Sequence, residues 1–129
     1  MRATLSNYRQ SPRKTRLVAN LIRGKTVAEA RRALLFLPKK SAPAIRKLLD
    51  SAVSNARSAG VSPDALIVKT ISVNKGAVLR RFKPMARGRA AGIRRTRSII
   101  SLELGTPDQA KGKRQKAKEK VSSTSTPIA

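Results

Sequence analysis

Up to Gly60 the apolar positions recur with helical spacing, and beyond Val61 with that of strands. Weak alternation over residues 1–10 predicts a short edge strand. Ser11-Pro12 then supplies an N-cap followed by proline at the first helical position. The helix they start carries Leu17, Val18, Leu21 and Ile22 on one side and ends at Gly24, a residue suited to a helix-terminating turn. Thr26 with Glu29 three residues on reads as a capping box. The second helix that follows has Val27, Ala30, Leu34 and Leu37 as its apolar line, and Pro38 stops it. The third is the most regular: Ile45, Leu48, Leu49, Ala52, Val53 and Ala56 fall at i, i+3, i+4, i+7, i+8 and i+11. Ser41 is placed to cap its start and Gly60 its end, while Ala52 and Ala56 let another layer approach closely. Its other face, with Arg46, Lys47, Asp50, Ser54 and Arg57, reads as solvated surface.

After the turn Val61-Ser62-Pro63-Asp64, Leu66, Ile67 and Val68 open a strand in which Ile71 and Val73 alternate with Thr70, Ser72 and Asn74. Ile100, Leu102 and Leu104 alternate in the same way with Ile99, Ser101 and Glu103. Two such strands beside three amphipathic helices predict an α+β domain, with the helices packed on a small antiparallel sheet. Between the strands, from Lys75 to Arg97, lie nine Lys or Arg and no acid, with Pro84, Gly88 and Gly92 near the middle. Such a charge run is commonly a flexible loop. Here Val78, Leu79 and Phe82 carry the strand pattern into it, and Arg outnumbers Lys seven to two. A long protruding basic β-hairpin is therefore expected, reaching ~35 Å from the domain at ~3.3 Å per residue. The domain with its arm, residues 75–97, is expected to span 1–104; residues 105–129 read as a disordered basic tail.

Composition sharpens this reading toward a polyanionic partner. The chain has 129 residues, 30 of them Lys or Arg against 6 Asp or Glu, for a formal net charge of +24. A compact monomer is destabilised by such self-repulsion, so the charge points to nucleic acid. A membrane surface is the competing anion, but it calls for Trp or Phe opposite Lys/Arg on one helix, and Trp is absent. Tyr8, Phe36 and Phe82 are the only aromatics, too few for base stacking, so recognition rests on phosphate, sugar and shape. With no Cys and no His, thiolate or imidazole metal sites, cysteine or histidine catalysis and disulfides are excluded. Glu29, Asp50, Asp64 and Glu103 are scattered one per element, and no motif supports an enzyme, a cofactor or a metal. Only a carboxylate pair brought together by folding would reopen that question. No apolar run has the length of a signal peptide or a membrane helix, so the chain reads as soluble and cytoplasmic.

The run Ser11-Pro12-Arg13-Lys14-Thr15-Arg16-Leu17-Val18-Ala19-Asn20-Leu21-Ile22-Arg23-Gly24-Lys25 closely resembles the first-helix block of the large-subunit ribosomal protein twenty-two family, bacterial type. Lys83-Pro84-Met85-Ala86-Arg87-Gly88-Arg89-Ala90 resembles that family's hairpin block, and Leu49-Asp50-Ser51-Ala52-Val53-Ser54-Asn55-Ala56 its helix. Met85 stands where the family usually has arginine. The resemblance covers roughly residues 1–104. It implies a constituent of the large ribosomal subunit that binds large-subunit rRNA early in assembly and sends a long hairpin inward to line the polypeptide exit tunnel. It also implies neighbouring ribosomal proteins, including protein four of the large subunit at the tunnel, a nascent chain in passing, and macrolides near the tip.

Residues expected at rRNA are Arg9, Arg13, Lys14, Arg16, Arg23 and Lys25 on the domain, with Lys75, Arg80, Arg81, Lys83, Arg87, Arg89, Arg94, Arg95 and Arg97 on the arm. Arginine suits the role because its planar fork meets phosphate bidentately. Pro84, Met85, Ala86, Gly88, Ala90, Ala91 and Gly92 are expected to shape the tunnel-lining tip. The alternative from another class is an architectural DNA-binding protein with a basic β-arm, which would bend duplex in the minor groove. Such proteins are usually symmetric dimers, whereas the ribosomal reading expects a monomer when free.

Overall fold

The computed structural model describes residues 1–106. In chain order the elements are β1 (Arg2–Tyr8), α1 (Pro12–Ile22), α2 (Val27–Phe36), α3 (Ala42–Ser58), β2 (Ile67–Pro84) and β3 (Ala90–Gly105), with single 3-10 turns at Pro63–Ala65 and Ala86–Gly88. The sheet is antiparallel in the order β1-β3-β2, so the chain's first strand is an edge strand as expected. The helices lie together on one side of it: α1 on β2, α3 on β1 and β3, and α2 chiefly against α3. The α+β class and the protruding hairpin of the sequence reading are both present. Gly105 is still in β3, paired with Ile67 and buried; residues 107–129, most of the anticipated tail, lie outside the described residues.

Local chemistry sets the start of α2 and the end of α3, whereas the expected caps Ser11 and Ser41 make no side-chain hydrogen bond to their helices. The capping box of α2 is formed, with Thr26 Oγ1 accepting from the Glu29 amide at 3.3 Å and Glu29 Oε2 accepting from the Thr26 amide at 3.4 Å. α3 ends in a paired backbone motif in which Val61 N donates to Ala56 O and Gly60 N to Arg57 O. Gly60 takes φ +75°, a conformation that glycine adopts without the clash of a Cβ. All six stripe residues of α3 are buried, and they meet Ile71, Ile100, Leu102 and Val68 of the sheet in one core. Each Ile, Leu or Val among them contributes about 1.5–3 kcal/mol by leaving water.

α1 departs from expectation. Leu17 is 68% exposed and Leu21 39%, whereas Thr15, Val18, Ala19 and Ile22 face the core. Both stripes contain Val18 and Ile22, so the helix is rotated about the shared positions. The buried stripe carries the smaller Thr15 and Ala19, which lets α1 lie close to β2.

The strands depart from simple alternation at three bulges. In β2 one extra residue between Val68 and Thr70 keeps Val68 and Ile71 both buried despite their odd spacing. The other two bulges, in β1 between Leu5 and Tyr8 and in β2 between Lys75 and Val78, both abut Ser98 of β3. Pairing of β1 stops there at Tyr8, and β2 and β3 continue alone as the arm. At the root, a Cβ on Gly76 would sit 3.4 Å from Arg97 O and Ile99 Cγ1, so the strands close tightly. β2 spans 18 residues, about 60 Å at ~3.3 Å per residue, and its distal half is the arm.

Candidate nucleic-acid interface

The arm pairs in register from Val78↔Thr96 to Pro84↔Ala90. Cross-strand partners share a face, so Arg80, Phe82 and Arg94 lie on one side and Arg81, Lys83 and Arg95 on the other. Cations thus stand on both faces. Arg80 is directly opposite Arg94, a like-charge pair that weakens the hairpin. Every residue from Arg80 to Ala90 is exposed, and the arm's cations make no ion pair among the described residues. At the tip Met85 N donates to Arg89 O at 2.8 Å, and Arg87 and Gly88 both take left-handed backbone, with φ 60° and +68°. This turn holds Arg87 and Arg89 at the far end, beside the uncharged Pro84, Met85, Ala86 and Gly88. Ala90, Ala91 and Gly92 follow on the return strand.

On the domain the expected residues divide. Arg13 and Lys14, at the start of α1, line a cleft of about 550 Å³ together with Lys39 and Lys40 from the loop before α3. Lys39 and Lys40 were absent from the sequence-based set. The signal for them was a basic doublet directly before a helix start, where acids are favoured. Arg9 is exposed in the β1–α1 connection; Lys25, half-buried, gives its backbone to β2, accepting from Val68 N at 2.9 Å.

Arg16 and Arg23 turn toward β2. Arg16 Nε donates to Val73 O at 3.1 Å and an Arg23 terminal nitrogen to Ile71 O at 3.0 Å. Further along the same edge, Gly24 N donates to Val68 O and Val27 N to Leu66 O. Together these contacts cover carbonyls that an edge strand would otherwise offer to another chain. Arginine has five donors, so the remaining ones on Arg16 and Arg23 are still available to phosphate.

Arg97 is held at the root of the arm. It donates to the Asn7 side chain, and its Nε is buried without a partner. Asn7 sits at the β1 bulge with φ 59°, and the neighbouring Ser98, fully buried, donates to Gln10 O. Lys75 is exposed just before the β2 bulge. Structural contacts also occupy three of the carboxylates: Glu29 in the capping box, Asp50 with Arg31 at 2.6 Å, and Glu103 with Arg2 at 3.1 Å. The arrangement provides exposed guanidinium and ammonium groups of a kind suited to binding phosphates.

Comparison with known proteins finds relatives along nearly all of the described residues. The pattern of the family described as ribosomal protein L22p/L17e matches residues 3–105. The large ribosomal subunit protein uL22 of Pelobacter propionicus is 56% identical over 103 residues, covering 79% of this chain and 93% of the relative. That of Trichlorobacter lovleyi is 55% identical over 103 residues, covering 79% and 91%. The uL22 protein of Neorickettsia sennetsu is 49% identical over 113 residues, covering 87% of this chain and the whole of the relative.

Proposed function

The chain belongs to the ribosomal protein L22p/L17e family, a constituent of the large ribosomal subunit and not an enzyme, and from that premise we propose that it binds large-subunit rRNA, aids its assembly and lines the exit tunnel with the β2–β3 arm. The observation that carries this reading is the arm itself. It has no buried residue from Arg80 to Ala90, opposed arginines, and cations on both faces. A hairpin laid on a single RNA surface needs positive charge on one face only. Charge on both favours an arm threaded between RNA segments, whose phosphates offset the repulsion between Arg80 and Arg94. The uncharged side chains of Pro84, Met85, Ala86 and Ala90 suit a tip facing a water-filled passage, beside a neighbouring protein such as protein four and a passing nascent chain.

Two measurements test the two halves of the proposal. Binding of the full chain to large-subunit rRNA should weaken steeply with salt, and replacing Arg80 and Arg94 by Ala should lower the slope by about 0.7 per lost contact on single strands. An unchanged slope would remove the arm from the phosphate interface. A photocrosslinker at Met85 in the assembled subunit should capture the nascent chain. Capture of rRNA alone would withdraw the tunnel-lining role and leave rRNA binding in place.

A further inference from the structure

We infer that the cleft between α2 and α3 docks an acidic, apolar segment of another protein. The cleft shares no residue with the arm, and the inference depends on neither the rRNA nor the tunnel reading. Arg31, Arg32 and Leu35 of α2 line it together with Arg46 and Asp50 of α3, around a volume of about 430 Å³. The core selects this outer face: Leu34 of α2 and Ile45 and Leu49 of α3 turn inward, so their chain neighbours turn outward. Leu35 is 61% exposed, and Phe36, the last residue of α2, is 81% exposed. Single exposed apolar side chains are ordinary on a protein surface. These two are consecutive, the only such pair of large apolar side chains among the described residues. Arg31 lies four residues before Leu35 and Arg32 four before Phe36, so each apolar side chain stands one helical turn from a guanidinium. Arginine beside aromatic and apolar side chains is the composition in which protein interfaces are enriched.

Charge chooses the occupant. Arg31 is already engaged, its Nε donating to Asp50 Oδ1 at 2.8 Å and a terminal nitrogen approaching the same oxygen at 2.6 Å. Arg32 and Arg46 make no ion pair among the described residues, which leaves two guanidinium groups beside an apolar rim. The chain's own residues 107–129 carry six Lys or Arg against two acids, so like charge keeps them off. A second copy would set the same three arginines against one another. Phosphate would meet Arg32 and Arg46 but leave Leu35 and Phe36 uncovered, and Asp50 would repel it, whereas the arm between Lys75 and Arg97 has no acid at all. A protein segment with Asp or Glu for Arg32 and Arg46 and an apolar side chain between them meets every feature of the cleft. Its carboxylates pair with the guanidinium groups while its apolar part removes Leu35 and Phe36 from water.

The test places a benzoylphenylalanine photocrosslinker at position 36 of the full-length chain in growing cells. The large subunit is then purified and its adducts sequenced. The expected adduct is a peptide of another protein with Asp or Glu next to apolar residues. Arg32→Glu with Arg46→Glu should lose it, and Lys at the partner's acidic positions should restore it in that variant. The neutral variant Arg32→Gln/Arg46→Gln guards against misfolding: it should unfold at the wild-type temperature and still give less adduct. In solution that neutral variant should bind large-subunit rRNA with an unchanged salt slope. A slope lowered by about 1.4, two contacts at ~0.7 each, or an adduct with rRNA, would assign the cleft to RNA and overturn the inference. A protein adduct that survives charge reversal, or no adduct at all, would overturn it as well.

Discussion

The α3–sheet core and the arm are parts of one continuous sheet, yet they are held together by different physics. Ile100, Leu102 and Leu104 of β3 are buried under α3, whereas Arg94 and Arg95, a few residues earlier on the same strand, are exposed. The core is stabilised by apolar area removed from water. The arm has the ladder hydrogen bonds but almost no burial, and an isolated two-stranded hairpin is marginal in water. Its charges make it worse still. The core thus specifies a shape by itself, whereas the arm buries too little to do so. The boundary between the two regimes is Ser98, where β1 stops and two bulges meet.

The largest effect that should sharpen this contrast is a core truncation. Leu49→Ala, at a position with no exposed surface, is expected to cost about 2–5 kcal/mol in denaturant unfolding. Phe82→Ala on the arm, where the ring is 77% exposed, should stay within about 0.5 kcal/mol. Equal losses would show that the arm docks on the domain. Next in size is the salt dependence of rRNA binding: Arg87→Ala with Arg89→Ala should lower the slope by about 1.4–1.8 without moving the denaturation midpoint. A shifted midpoint with an unchanged slope would reverse the roles assigned to tip and core.

Thr26→Ala removes the capping box of α2 and is expected to cost about 1 kcal/mol, read by thermal unfolding. No loss there would mean that the tertiary packing of α2 makes its cap redundant. The smallest effect belongs to the like-charge pair. Arg94→Thr should stabilise the free hairpin by about 0.2–1 kcal/mol while weakening rRNA binding. Amide exchange reads both parts: fast from Val78 to Ile93 in the free wild-type chain, somewhat slower in the variant, and strongly slowed for the wild type in the assembled subunit. Strong protection in the free wild type would mean that the arm is rigid before it meets RNA.

Much of this molecule was legible without coordinates. The α3 stripe, the Thr26–Glu29 box, the alternation of Ile100, Leu102 and Leu104 and the acid-free basic run each lie within a short window. Period, capping chemistry and charge act over a few residues, so a linear reading reaches them. The basic arm residues were likewise visible as a set, though their division between two faces needed the register.

Long-range packing decided the rest. Two stripes of α1 were compatible with a helix, and only contact with β2 selected Thr15, Val18, Ala19 and Ile22 over the one with Leu17 and Leu21. Arg16 and Arg23 read from the sequence as rRNA-contacting cations, and only the fold brings the carbonyls of β2, 57 and 48 residues away, within their reach. Lys39 and Lys40 joined Arg13 and Lys14 only because the starts of α1 and α3 converge. Arg97 became part of the root because Asn7, 90 residues distant, lies across the β1 bulge. By itself, the sequence determined which segments are helix or strand, which side chains avoid water and where positive charge concentrates, since these follow from neighbours along the chain. Which face turns inward, and which distant cations share one cleft, depends on how the elements pack in space, and that was decided by the tertiary structure alone.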